Sequence, residues 1–432
     1  MNRMTEIKQE PAPCFQTLAK EIRQQFLGHD VPQCDRSEKS PLRVMLYSHD
    51  TMGVGHMRRN MLIASTIKNQ FPDCSILTLA GATEACVFAR SAGIDCLTLP
   101  SFQKRSDGTY TSRSLGVVAG EILSVRSETI LAAIKSYKPD LLIVDKLPAG
   151  AGGELLPSLD WLSTHSSCHC VLGLRDILDT PDQVIQDWRN AQSFEVIRAH
   201  FQSVWIYGDQ NVYDAVREYD FPADIAAKTQ FTGYLKTCSR LKNVQPTGAD
   251  AEAPFVLCTV GGGQDGEVLP LNFVEAMRAS GHRSKLLMGP NMPDSIRKQI
   301  QTAACTVPSL EVIDFVNEGD LLVKHASHVV SMGGYNTLSA ILTYQKPALI
   351  VPRVKPRMEQ SVRADRLAEL GYVQTIHPDD LSPPEIINWL DTPVDSRPAP
   401  SSSLDMCGLE RVCEAIHADF PAVKYSEIGV GA

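Results

Sequence analysis

The chain of 432 residues has no apolar run of about 18 residues, the length a membrane-crossing helix requires. Its opening stretch, MNRMTEIKQEPAPC, lacks the apolar centre of a secretory leader, so the protein is expected to stay in the cytoplasm. There is no dense block of Lys and Arg, and the formal charge is −9, which argues against a nucleic-acid partner, since phosphates demand a basic face. The nearest approach, RVKPR at 353–357, suits a small anion or solvent better than a duplex. Twelve cysteines are present without a CxxC pair, so a disulfide framework is not indicated and reduced thiols are expected. Cys168, His169 and Cys170 lie together, but strand alternation sends the two thiols to one face and the imidazole to the other, and no metal is expected there. Two nucleotide signatures are also missing. Lysine does not follow any glycine loop in the GxxxxGK[ST] pattern, and Arg58 stands where a dinucleotide fingerprint needs its third glycine.

What is present is alternation. Apolar strand-like runs (RVMLYS, SILTLA, CLTLP, DLLIVD, VLGLR, VWIYG) are separated by amphipathic helical runs, the pattern of a parallel sheet covered on both faces. After linker-like composition at 237–253 a second series follows: FVLCTV, KLLMG, LEVIDF, HVVSM, ALIVP and VQTI. The length calls for two domains. The expected architecture is α/β, with two Rossmann-like domains, 41–236 and 254–392, facing across a cleft between the carboxyl ends of their sheets. Residues 393–432 form a loop and a helix that returns to the first domain. Residues 1–40 form an N-terminal extension in which Phe15, Leu18, Ile22 and Phe26 recur at helical spacing. It is expected to dock on the body, with peripheral membrane contact as the alternative. SFQKRSDGTYTSRS at 101–114 reads as a polar loop.

The most informative stretch runs from Ser331 to Gln360. A buried strand ends there, Met332, Gly333 and Gly334 turn the chain, and Tyr335, Asn336 and Thr337 open a helix that Asn336 and Thr337 can cap. Bare amides and the positive dipole end of that helix suit a diphosphate. Gly261, Gly262 and Gly263 follow another strand and let backbone approach a ligand closely, or simply make a sharp turn. Phe315 and Val316, next to Asp314 at a strand end, can pack against a base or belong to the core. Glu359 and Gln360 can accept sugar hydroxyls, or merely open a helix. In the first half, Gly53 and Gly55 flank a tight turn that presents His56, whose neutral imidazole can take a proton or cap its helix. Asp50 and Asp145 are both placed to orient it. Arg175, at the end of VLGLR, faces an acceptor or pairs with Asp176.

GVGH in the first half, GGG after the first strand of the second, and GGYNT followed by KPALIVPR and EQ together resemble the two-domain GT-B glycosyltransferases. The branch containing the peptidoglycan N-acetylglucosaminyltransferase and the diacylglycerol glycosyltransferases, of the family 28 type, is the most similar. The resemblance covers roughly residues 42–390, and its second-half motifs are the specific ones. It implies a metal-independent, inverting hexosyltransferase with no cofactor, the nucleotide sugar, most simply a UDP-sugar, being a substrate. By resemblance Met332 to Thr337 hold the diphosphate, Phe315 and Val316 the base, and Gly261 to Gly263 the inner donor face. His56 is then the base that deprotonates an acceptor hydroxyl on a sugar, lipid headgroup or small metabolite. One position departs: relatives carry a ribose-binding glutamate where Ala340 stands. This leaves open whether Glu359 substitutes, the donor differs, or donor binding is weaker. A nucleotide-sugar binder without turnover, and an epimerase or hydrolase on the same scaffold, are the competing expectations.

Overall fold

A computed structural model describes residues 41–49, 55–82, 85–104, 110–237, 254–263, 267–316, 318–393, 400 and 403–425. Asp50, Gly53, the segment 1–40 and most of the linker-like stretch, 238–253, lie outside these residues. From Leu42 onward the chain forms one compact unit built on two parallel sheets.

The first sheet holds seven strands in the order β3-β2-β1-β6-β7-β8-β9. They are β1 (Arg43–Ser48), β2 (Ser75–Ala80), β3 (Asp95–Thr98), β6 (Leu141–Asp145), β7 (His169–Arg175), β8 (Ser203–Tyr207) and β9 (Thr229–Phe231). β1 and β6 read as continuous apolar runs because both faces are covered; Val44, Met45, Leu46 and Leu141 to Val144 have no exposed surface. Burying a leucine such as Leu46 contributes about 1.5–3 kcal/mol. The second sheet holds six strands, ordered β12-β11-β10-β13-β14-β15. These are β10 (Val256–Thr259), β11 (Ser284–Leu287), β12 (Leu310–Ile313), β13 (His328–Ser331), β14 (Ala348–Ile350) and β15 (Gln374–Thr375).

In each sheet the chain winds outward one way from the first strand and then the other. β1 is flanked by β2 and β6, and β10 by β11 and β13. The loops leaving such a central pair diverge to opposite faces, opening a crevice at the strands' carboxyl ends, where α/β folds hold ligands. That crevice is bordered by His49 and Asp145 in the first sheet. In the second it is bordered by Gly261 to Gly263 and by Met332 to Gly334, because Thr259 and Ser331 are register partners.

Residues 101–114 are not only a loop. β4 (Phe102–Lys104) and β5 (Tyr110–Ser112) pair antiparallel. Phe102 is buried, with the Arg126 guanidinium 4.7 Å above its ring, and Arg126 is itself buried against Glu154. Three-residue strands are too short to show a period in sequence. Cys168 and Cys170 lie in the same apolar cluster, whereas His169 turns to Ser203 (3.1 Å) and Asp419 (3.5 Å).

The two sheets share a continuous core. Leu46 and Ile143 of the first, Leu257 and Val329 of the second, and Leu338 from the helix Tyr335–Thr343 belong to one cluster. Leu409, Val412 and Ile416, from the helix Gly408–Asp419, complete it, and that helix packs on the helix Gly55–Gln70.

Candidate active site

His56 is the second residue of the helix Gly55–Gln70, and one turn later Arg59 lies on the same face. Both reach Asp145, the last residue of β6. His56 Nδ1 is hydrogen-bonded to Asp145 Oδ2, while Arg59 Nε donates to Asp145 Oδ1 at 2.9 Å. Arg59 Nη2 also lies 3.0 Å from His56 Nδ1. A carboxylate can only accept, so it fixes the proton on Nδ1 and leaves the lone pair on Nε2. Burial lowers the imidazole's pKa to about 4; the Asp145 charge works the other way but is itself shared with Arg59. Asp145 is held well below the ordinary carboxylate range, its burial being outweighed by the charges of Arg59 and His56. His56 is therefore neutral at pH 7 and retains 14% of its side-chain exposure. His49 stacks at a tilt 4.6 Å from it, fully buried and also kept neutral by burial.

His49, His56 and Asp145 place one ligand atom each within 4.8 Å of one another, a spacing that a metal ion can use. The residues do not suit a cation, because Asp145 already carries the Arg59 guanidinium and a divalent ion would have to displace it against like charge.

Across the crevice the chain turns at Gly333, whose φ of +82° favours glycine and whose added Cβ would meet Ile350 at 2.8 Å. The helix Tyr335–Thr343 then begins. Its N-cap is Gly334, with no side-chain cap, so Asn336 and Thr337 do not cap it as the sequence suggests. Asn336 instead donates to the Gly55 carbonyl at 3.0 Å, tying this helix start to the His56 turn. The first amides of the helix remain without intrahelical partners. Beside them, Gly263 and Gly289 pack backbone to backbone with φ of +85° and +86°; a Cβ on Gly289 would lie 2.3 Å from the Gly261 carbonyl oxygen.

These parts enclose one cavity. It is lined by Gly55 and Arg58 from the first half, and by Thr259, Gly261, Gly262, Phe315, Val316, Asn336 and Thr337 from the second. Phe315 is 42% exposed there. Arg58, Gly289, Pro290, Gly319 and Asp320 also line it and carry no motif in the sequence. Arg59 carries no motif either, although its three-residue spacing from His56 on a helix is a readable signal.

Other predicted site residues lie beside the cavity rather than on it. Tyr335 is buried, stacked on Tyr234 at 6.1 Å with Arg59 and Arg363 over its ring. Met332 packs against the second sheet's core. Glu359 is buried and bonded to Arg353 Nη2 at 2.5 Å, and the Gln360 side-chain oxygen accepts from the Arg353 amide at 3.1 Å. Arg175 Nη2 lies 3.8 Å from Glu359 Oε1. Ala340 is fully buried in the shared core and does not line the cavity, so nothing at that position addresses a ligand.

Residues 259–410 match the model of the glycosyltransferase family 28 C-terminal domain. None of the curated proteins matches the chain in sequence. Solved structures do match. MurG of Acinetobacter baumannii aligns over 88% of this chain and 100% of its own, with 14% identity and a TM-score of 0.54. A UDP-N-acetylglucosamine 2-epimerase from Listeria monocytogenes aligns over 90% of this chain and 100% of its own, with 12% identity and a TM-score of 0.61. The calicheamicin glycosyltransferase CalG4 aligns over 89% and 95%, with 15% identity and a TM-score of 0.52. At such identities the likeness is one of fold. The chain has the GT-B fold, and within it residues 259–410 are similar to the glycosyltransferase family 28 C-terminal domain.

Proposed function

We propose that the protein is an inverting glycosyltransferase that moves a sugar from a nucleotide-sugar donor, a UDP-sugar in the simplest case, to an acceptor hydroxyl. The observation that carries this reading is the Asn336 bond to the Gly55 carbonyl, which sets a bare helix start and the turn before a neutral, oriented imidazole on one cavity. Donor diphosphate charge is met by the helix amides at Asn336 and Thr337 and by Arg58. Phe315 and Val316 offer an apolar wall to the base. His56 Nε2 takes the acceptor proton as the oxygen attacks the anomeric carbon from the face opposite the leaving group. The bond from that carbon to the diphosphate oxygen breaks and UDP departs. Asp145 and Arg59 hold the imidazole for this step, and the diphosphate charge is handled without a metal ion.

The test is release of UDP from labelled UDP-sugars with and without candidate acceptors, in wild type and His56→Ala. Acceptor-dependent release that is unaffected by His56→Ala in a folded protein overturns the base assignment. Donor binding itself is seen by thermal shift, because a ligand at 100 times its Kd stabilises by about 2.7 kcal/mol. The fold likeness to an epimerase supports a second reading, in which the donor alone is turned over. Product formation from a UDP-sugar without acceptor favours that reading.

A further inference from the structure

Beside His56, but off the cavity lined by the glycine loops, lie two cations, Lys146 and Arg175, that are incompletely paired among the described residues. Lys146 directly follows Asp145 and adopts a left-handed φ of 68°, with its amide bonded to the Gly173 carbonyl at 2.8 Å. Among the described residues, no side chain supplies a hydrogen bond or ion pair to its ammonium. Asp145 is the register partner of Gly173 on the adjacent strand, and Arg175 ends that strand two residues on. Among the described residues, Arg175 Nε is buried without a partner, and Glu359 at 3.8 Å is the ion pair that the guanidinium makes. Glu359 is already bonded to Arg353, and its Oε2 has no partner. The other cations nearby are committed. Arg59 pairs with Asp145, Arg357 with Asp179 (3.0 Å) and Asp187 (2.7 Å), and Arg363 with Asp176. Glu359 thus draws Arg175 and Arg353, one from each half of the chain, and is the largest favourable charge on Lys146.

We propose that Lys146 and Arg175, with Arg353 behind Glu359, form a subsite for an anionic group of the substrate, a carboxylate or phosphate separate from the donor diphosphate. This rests on the transferase reading and adds a substrate class to it: the acceptor, or the sugar being moved, carries a negative charge close to the reacting hydroxyl. The charge balance agrees. Burial and the neighbouring guanidinium of Arg175 lower the Lys146 ammonium to about 7, and burial lowers Arg175 to about 10, so both gain when an anion arrives. The donor diphosphate has its own place, since neither residue lines the cavity of Gly261, Gly262, Asn336 and Thr337.

Calorimetry on the full chain tests this in two arms. UDP alone is titrated first; if it does not bind, the donor reading fails, and inorganic phosphate titrated into the ligand-free protein still reports on the cluster. In the donor arm, UDP-glucuronate is compared with UDP-glucose. In the acceptor arm, glycerol 3-phosphate is compared with glycerol on the UDP-saturated protein. We expect the anionic member of one pair to bind at least tenfold tighter than its neutral counterpart. That ratio should fall towards one in Lys146→Met and in Arg175→Gln, each checked for a native circular dichroism spectrum. The arm that discriminates tells whether the charge is on the sugar or the acceptor. The proposal is overturned if both pairs and inorganic phosphate show no preference for the anion. It is equally overturned if the two variants weaken UDP itself as much as the anionic ligand, because the cluster then serves the diphosphate.

Discussion

Asp176 and Arg363, 187 positions apart, form a bidentate pair buried between the two sheets. Arg363 Nε donates to Oδ2 at 2.8 Å and Nη2 to Oδ1 at 2.7 Å, and both side chains are at most 2% exposed. Tyr234 donates to the same carboxylate at 3.0 Å. With Asp179 accepting from the Met358 amide at 2.9 Å, the pair fastens the β7 end of the first sheet to the helix Glu359–Glu369.

Removing one partner leaves the other charge buried and unpaired. Asp176→Ala is expected to cost about 3–5 kcal/mol, read as a lower midpoint in urea unfolding. A double change of Asp176 and Arg363 to apolar residues of similar size should recover much of that loss. A double variant no more stable than the single one would show that the pair is not the cause.

His56→Ala should lower turnover by about 10²- to 10⁴-fold, the range for positioned base catalysis, while UDP binding persists. Steady-state rates and calorimetry on the same preparation separate the two effects.

Arg59 lowers the pKa of His56 through its charge and shares the carboxylate that orients it. In wild type, the rate is expected to hold level from neutral pH down to about 5 and to fall as pH drops through about 4. Arg59→Gln should slow turnover and move that acid limb to higher pH. A pH–rate profile with an unmoved limb would remove Arg59 from the catalytic arrangement.

Protonation also bears on stability. Between about pH 6.5 and 4 the unfolded chain binds a proton at His56 that the folded chain refuses, so stability declines as pH falls through this window. A shift from 6.5 to about 4 amounts to roughly 3 kcal/mol at full development. Asp145, with its pKa lowered, adds stability above the ordinary carboxylate range that is lost only at more acidic pH. Urea unfolding of His56→Asn should show a flatter decline between pH 6.5 and 4 than wild type.

Gly289→Ala forces a Cβ to within 2.3 Å of the Gly261 carbonyl oxygen in a left-handed backbone. The glycine loop must shift, and UDP affinity should fall at least tenfold. An unchanged Kd would place the diphosphate elsewhere.

Much of this was readable along the chain, because strands covered on both faces are apolar throughout and glycine turns mark the ends of β10 and β13 locally. His56 was legible for the same reason, lying within a few residues of Gly55. The β4–β5 hairpin was not, since its strands are too short to show a period. Met332, Tyr335, Glu359 and Gln360 can be picked out by position in a motif, but that they lie beside the cavity and do not line it depends on neighbours far away in sequence.

The sequence by itself determined the two α/β series, the glycine turns and the helix starts, all set by interactions within a few residues. Tertiary structure alone brought Asp145 to His56, because that contact spans 89 positions and follows from β6 lying beside β1. It also decided that Arg59 shares the carboxylate, that Asp176 meets Arg363, and that Arg175 and Arg353 meet at Glu359. Charges distant along the chain acquire a partner, or the lack of one, only when strand order fixes which ends lie together.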